Sequence, residues 1–224
     1  MKIALAIFVK TPGLSGIKTR LAASIGTSLA EEFYFQSLKA IESVVTGLHK
    51  TSLEFEPIWA VAEKGASEHP LWQKFHKVYQ GEGELGQRLA CVHDQLFENF
   101  DVVYFMGADS PHLSKSFLLH SVNNFCHKSS ASFQIGEAED GGFYLLGMKK
   151  KISLSIWSSI TYSVHSTANE LREKIISLGE IEHIEKNFDV DTIDDLVKYK
   201  NEYWSIVDAT REQNELIQWV RKNF

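Results

Sequence analysis

Apolar positions along the chain follow two alternating rhythms. The run Lys2–Val9 (KIALAIFV) is almost continuously apolar and ends in a loop containing Pro12, Gly13 and Gly16. That is the pattern of a strand buried on both faces of a parallel sheet. Beyond the loop, Tyr34, Leu38, Ile41, Val45 and Leu48 recur at steps of four and three, which puts them on one helix face. Ser28-x-x-Glu31 reads as the capping box of that helix. Residues 57–62 predict a second strand and 78–80 a short third one; Leu85, Leu89, Val92, Leu96 and Phe100 predict an amphipathic helix. Residues 101–108 predict another buried strand, followed by a helix bearing Leu118, Val122 and Phe125. Segments 131–136 and 143–148 read as strands around a Glu/Asp/Gly turn. Thr167-x-x-Glu170 then caps a helix carrying Leu171, Ile175 and Leu178, with Gly179 as its stop. A weak strand over 181–184, the segment Asp189-Val190-Asp191-Thr192 and two closing helices complete the pattern.

Alternation on this scale predicts an α/β protein: three α/β/α layers around a mostly parallel central sheet. In such sheets ligands sit beyond the carboxyl ends of the strands, so the loops after each strand are where chemistry is expected. Composition narrows the picture. With 224 residues and four prolines there is length for one large domain or two small ones and no obvious linker. The formal net charge of −6 argues against a general nucleic-acid binder, while leaving room for a local basic pocket. Cys91 and Cys126 form no C-x-x-C pair and read as small buried hydrophobes in a reducing compartment. The apolar run at 3–9 is followed by Lys10, Lys18 and Arg20, unlike a cleavable leader. No run approaches the ~20 residues of a membrane span. The expected location is the cytoplasm.

The first loop, residues 10–20, gathers Lys10, Lys18 and Arg20 around Gly13 and Gly16. Glycines let backbone N–H groups approach an anion, Lys supplies a point charge and Arg a two-pronged donor. The glycine spacing is not that of a Walker A loop. Gly81-Glu82-Gly83-Glu84-Leu85-Gly86 matches G-x-G-x-x-G, but its preceding strand is short and two Glu side chains would crowd a pyrophosphate. Arg88 in the following helical turn is positioned to reach a ligand or to pair with Glu84 at i, i+4. Asp109, just past a buried strand, suits a hard cation completed by substrate phosphates, or equally a turn begun by Ser110-Pro111. Glu139-Asp140-Gly141-Gly142 reads first as a hairpin turn. Asp191 supplies a second metal-facing carboxylate or caps the helix that follows. Ser110 lacks the G-x-S-x-G elbow and no His/Cys cluster has zinc spacing.

Taken in order, FVKTPGLSGIKTRLA (8–22), GEGELGQR (81–88), GADSP (107–111), EDGGFYLLG (139–147) and DVDTIDDL (189–196) resemble the DUF2064 family. Its members are taken to be glycosyltransferases or nucleotide-diphospho-sugar transferases. The resemblance implies a GT-A-like, nucleotidyltransferase-type fold, and one domain over 1–224 with 201–224 as a helical extension. Trp204, Leu216, Trp219 and Val220 of that extension pack on the core or form a homodimer contact. It implies that Lys10, Gly13, Gly16, Lys18 and Arg20, with Gly86 and Arg88, bind the nucleotide. Asp109 and Asp191 would hold Mg²⁺ or Mn²⁺, Lys18 and Arg20 would assist departure of the diphosphate, and Asp140 would serve the acceptor. The expected activity is a metal-dependent glycosyl transfer from a nucleotide-diphospho-sugar to a small-molecule acceptor. The alternatives are nucleotidyl transfer from a triphosphate to a phosphorylated acceptor with pyrophosphate release, and a nucleotide-binding module without turnover. GADSP carries Gly107 where many glycosyltransferases have the first Asp of D-x-D.

Overall fold

The computed structural model describes residues 1–49, 54–202 and 206–224. One sheet runs in the order β3-β2-β1-β4-β6-β5-β7. Its strands are β1 (Lys2–Val9), β2 (Glu54–Val61), β3 (His76–Tyr79), β4 (Val102–Gly107), β5 (Ala131–Ala138), β6 (Phe143–Met148) and β7 (Glu180–Asn187). Only β6 opposes the rest: it pairs antiparallel with both β4 and β5, whereas the other pairs are parallel. The carboxyl ends of β1, β4, β5 and β7 therefore share one edge, and the 139–142 turn between β5 and β6 lies on it.

The helices are α1 (Thr19–Ile25), α2 (Thr27–His49), α3 (Leu85–Leu96), α4 (Lys115–His127), α5 (Leu154–Trp157), α6 (Thr167–Ile175), α7 (Ile193–Glu202) and α8 (Arg211–Asn223). Strand alternation sorts them into layers. Ile3, Leu5, Ile7 and Val9 of β1 meet Leu38, Ile41 and Val45 of α2 and Leu118, Val122 and Phe125 of α4. The small intervening Ala4 and Ala6 face Leu89, Val92 and Leu96 of α3, with Trp157 and Leu171 beside them. A third cluster joins α1, α2, α7 and α8 through Leu21, Phe33, Leu196, Tyr199, Leu216 and Val220. Leu216 and Val220 are thus buried against the chain's own helices, and the Trp219 indole donates to Glu32 Oε1 at 2.7 Å. Trp204 lies outside the described residues. Among those residues no helix is long and apolar enough to cross a membrane.

Several local expectations are corrected. Helix α1 has no counterpart in the periodicity reading, and the Ser28/Glu31 box does not form. Gly26, at φ +85°, ends α1, and its carbonyl accepts the Ala30 N–H at 3.1 Å, so it stands where a capping residue would. Helix α3 stops at Leu96 rather than reaching Phe100. Thr167 is inside α6; its hydroxyl donates to the Thr161 carbonyl, and Glu170 accepts from Thr161 N–H and Ser166 Oγ at 2.8 and 2.7 Å. Helix α6 ends at Ile175, before Gly179, whose missing side chain makes room for Ser132: a Cβ there would lie 2.2 Å from its hydroxyl. Cys91 and Cys126 are free and half-buried rather than buried.

Candidate active site

The loop after β1 is fixed at its start by buried polar partners. Thr11 donates its N–H to Glu63 Oε2 at 2.9 Å, and its hydroxyl accepts from the Trp72 indole at 3.0 Å. The Tyr34 hydroxyl accepts from Lys10 N–H (3.1 Å) and donates to the Lys10 carbonyl (2.8 Å). Burial pushes that phenol's pKa up, which keeps the donated proton in place. Gly13 turns the chain at φ +83°, and Leu14 and Ser15 N–H both bond to the Thr11 carbonyl.

The loop closes on Lys18, which takes a left-handed backbone (φ 45°, ψ 46°) at the start of α1. Cβ crowding disfavours that conformation by ~1 kcal/mol or more, so something must hold it. The side chain does. It is only 3 % exposed; Nζ donates to Asp191 Oδ1 at 2.7 Å and to the Val190 carbonyl at 2.8 Å, and pairs with Asp109 Oδ1. Burial works to lower its pKa, but Asp109 and then Asp191 outweigh burial and hold the ammonium above its ordinary value.

The carboxylates come from two strand ends stitched together. Val190 N–H bonds to the Asp109 carbonyl at 2.9 Å, joining the loop after β4 to the segment after β7. Ser110 Oγ donates to Asp189 Oδ1 at 2.5 Å. Burial, then the charge of Asp109, raises the Asp189 carboxyl to about 7, with Ser110 and Lys18 opposing. Asp191 is not the cap of α7. Asp195 Oδ2 accepts the N–H groups of Asp191 (3.1 Å) and Thr192 (2.8 Å), and Thr192 Oγ1 accepts that of Asp195 (3.3 Å). This reciprocal pair satisfies the helix start and leaves the Asp191 carboxylate to Lys18. Asp109 likewise faces the ammonium rather than serving only as a turn residue. Periodicity gave no hint of Gln213, a fully buried residue of α8 whose amide donates to the Pro111 and Leu113 carbonyls at 2.8 and 3.0 Å. Thr210-x-x-Gln213 is a capping box, a legible signal for the start of α8 but not for this second contact.

These residues border a cleft of about 320 Å³, lined by Lys10, Gly16, Lys18, Arg20, Asp109 and Asp191 with Phe8, Tyr34 and Leu85. Lys10 and Arg20 are exposed and make no ion pair among the described residues. Three locally similar cations thus divide: Lys18 is compensated inside the protein, while the other two are free at the rim for an anion. Gly13 lies outside the cleft, in a neighbouring surface depression. Neither Gly86 nor Arg88 lines the cleft. A Cβ on Gly86 would sit 2.4 Å from the Trp157 carbonyl, so this glycine permits close packing of α3. Arg88 does not pair with Glu84; Nε donates to the Gly83 carbonyl (2.9 Å) and Nη1 to that of Ala62 (3.2 Å), tying the 81–86 loop to the end of β2. Asp140 Oδ1 accepts the Gly142 N–H at 2.9 Å, as a hairpin turn would have it. Asp140 also borders a second cavity of about 220 Å³, which meets the first at Phe8, Leu85 and Gly107.

Asp109 and Asp191 aim one oxygen each at a single point, now taken by the Lys18 ammonium, and each keeps a second oxygen without a protein partner among the described residues. No group of three or more His, Cys, Asp and Glu there forms a closed metal site. This donor set fits a hard divalent cation of the kind held by one or two carboxylates and completed by substrate phosphates and water.

The sheet order, its one antiparallel strand and the cleft at the carboxyl edge define an α/β protein of the GT-A-like fold shared by nucleotidyl- and glycosyltransferases. The chain belongs to the DUF2064 family, described as an uncharacterized protein conserved in bacteria, whose profile matches residues 46–164. The resemblance carried by the five motifs is borne out, although the first loop and the 189–196 segment lie outside the matched stretch. A proposed nucleotide-diphospho-sugar transferase from Desulfovibrio desulfuricans G20 is 24 % identical, with 98 % of this chain and 99 % of that one covered and a TM-score of 0.76. The 4-diphosphocytidyl-2C-methyl-D-erythritol synthase of Anaerococcus prevotii is 13 % identical, covering 97 % and 96 %, with a TM-score of 0.58. A cytidylyltransferase from Leptospira borgpetersenii is 14 % identical, covering 100 % and 95 %, with a TM-score of 0.56. No curated protein matches the chain.

Proposed function

We propose that this protein is a transferase using a nucleotide-activated donor, specifically a glycosyltransferase acting on a nucleotide-diphospho-sugar. The observation that carries the reading is the charge arrangement of the cleft: two unpaired cations, Lys10 and Arg20, face two carboxylates bridged by Lys18. A diphosphate entering there meets a point charge in Lys10 and a planar two-pronged donor in Arg20. Lys18, kept charged by its carboxylates, orients Asp109 and Asp191 and adds positive potential where charge builds on the leaving oxygens. Asp109 and Asp191 are the residues that would hold Mg²⁺ or Mn²⁺, which when bound neutralises diphosphate charge. Asp140, exposed beside the second cavity, orients an acceptor hydroxyl and takes its proton as the bond to the sugar forms. The nucleoside diphosphate then leaves. The whole chain, 1–224, acts as one unit in this scheme, in the cytoplasm, where two free thiols are at home.

The test is a product assay with Mg²⁺ across sugar nucleotides and nucleoside triphosphates, each with an acceptor panel. Release of nucleoside diphosphate, reduced at least a hundredfold in Asp109→Asn, is the expected result. Release of pyrophosphate from a triphosphate would replace the reading with nucleotidyl transfer, and turnover unchanged in Asp109→Asn would remove the carboxylates from the mechanism.

A further inference from the structure

The second cavity differs in kind from the first. Its walls are Phe8, Leu89, Phe105, Phe143 and Val164; among the described residues no Lys, Arg or His borders it, and Asp140 is its one charged lining group. The wall hydroxyls of Tyr162 and Thr167 are already spent on backbone carbonyls, of Trp157 in one case and of Thr161 and Val164 in the other. Among the described residues, Asp140 and Ser163 are the remaining lining residues with polar side chains. Gly107, at the end of β4, borders both cavities and puts no side chain between them.

The cavity is also built in advance. The Asp140 turn is docked on the 163–168 segment: Gly141 takes φ +92°, its carbonyl accepts the Ala168 N–H at 2.8 Å, and a Cβ on it would lie 2.1 Å from the His165 carbonyl. Ser163 itself holds a left-handed backbone at φ 62°. A preformed apolar cavity of about 150 Å³ suffices for benzene. The space here therefore suits one ring with small substituents.

We propose, resting on the transferase reading above, that this cavity is the acceptor subsite and that it takes a neutral, apolar-bodied hydroxyl compound with a single ring rather than a phosphorylated or carboxylated one. The ring lies among the aromatic and aliphatic walls, and the hydroxyl meets Asp140. An anionic substituent would enter a space with no cation and face a carboxylate of like charge. In the transfer step the acceptor oxygen bonds to the donor sugar carbon, the bond from that carbon to the diphosphate oxygen breaks, and the hydroxyl proton passes to Asp140.

Binding can be read without any donor. Leu89 of α3 borders the cavity and packs on the same sheet face as Phe8, Phe105 and Phe143, whereas Leu118 of α4 packs on the opposite face. With methyl-¹³C leucine in the full chain, and Leu89→Ile used to assign the signal, p-cresol is titrated against phenyl phosphate. The expected result is a saturable shift of the Leu89 methyls with p-cresol, the Leu118 methyls on the opposite face unmoved, and at least tenfold weaker binding of phenyl phosphate. Val164→Arg, at a side chain exposed on the cavity wall, is expected to reverse the order by supplying the missing cation. No Leu89 shift with p-cresol, phenyl phosphate binding equally or more tightly, or an unchanged ratio in Val164→Arg would each overturn the proposal. Absence of diphosphate release with p-cresol binding intact refutes the transferase reading and leaves the ligand class standing. Diphosphate release with phenyl phosphate as the better ligand refutes the present inference alone.

Discussion

Replacing Lys18 by Met removes the cation on which the site converges and keeps the length of the side chain. Loss of one partner from a fully buried pair costs ~3–5 kcal/mol. Here the ammonium is 3 % exposed, but Asp109 and Asp191 are each 39 % exposed, so water compensates them in part and ~2–3 kcal/mol is expected. For a chain of this size each kcal/mol moves Tm by roughly 2–4 °C, which puts the loss between ~4 and ~12 °C. The backbone supplies an internal control. Met keeps the Cβ that crowds the left-handed conformation, whereas Gly does not, so Lys18→Gly should be less destabilised than Lys18→Met by ~1 kcal/mol.

The measurement is thermal unfolding of wild type and both variants, by circular dichroism, in EDTA and again in MgCl₂. Sign matters for the pH arm. The pKa of Lys18 is raised in the folded protein. Its stabilisation is therefore complete below the ordinary lysine value of about 10.4 and is lost only as pH rises through the higher folded value. The gap between wild type and Lys18→Met should stay open through pH 9 and close only as pH rises above about 10.4. MgCl₂ should raise the Tm of Lys18→Met more than that of wild type, because the vacated point then accepts a cation that binds only the folded form. A Tm within 1 °C of wild type, or Lys18→Gly falling below Lys18→Met, refutes the account.

Three further outcomes follow from neighbouring residues. The Asp189 carboxyl is raised to about 7, so between about pH 4 and 7 the folded chain keeps a proton the unfolded chain has released, and stability falls through that window. The shift corresponds to ~4 kcal/mol at full burial. Asp189 is only half-buried by its surface, so about half that is expected, and Asp189→Asn should raise Tm at pH 8 while giving no gain at pH 4. Gly141→Ala should cost at least ~3 kcal/mol by denaturant unfolding, since its Cβ would strike the His165 backbone from a left-handed position. Lys10→Ala and Arg20→Ala should each weaken UDP binding roughly tenfold by calorimetry, with the loss shrinking as salt is raised; a salt-independent loss would remove them from direct phosphate contact.

The layers were legible because strand burial is a local pattern: β1, β4 and the β5–β6 pair follow from apolar runs, and the site loops follow from where those runs end. What sequence could not separate was the three cations of the first loop. Lys10, Lys18 and Arg20 look equivalent along the chain. They differ only through contacts of Lys18 with residues 91 and 173 positions away. Periodicity also misses features fixed by one close approach. Gly86 invites a phosphate reading as part of G-x-G-x-x-G, yet the atom beside it is a carbonyl of the 157–162 segment.

Asp191 is the instructive case, because its two readings are decided by residues that were in plain view. A carboxylate just before a helix is drawn to the free N–H groups of the first turn, and on that ground alone a cap is as reasonable as a ligand. But the chain continues Thr192-x-x-Asp195, a hydroxyl and a carboxylate at the spacing that satisfies a helix start reciprocally, and they do so here. Once the helix is capped from within, a preceding carboxylate has no local demand on it. Its position beyond the carboxyl edge of the sheet then leaves it to pair with Lys18. The same logic applies in reverse to Asp140: Gly142 N–H occupies one of its oxygens and the other has no protein partner among the described residues, so the turn contact is compatible with the acceptor-facing role proposed for this side chain.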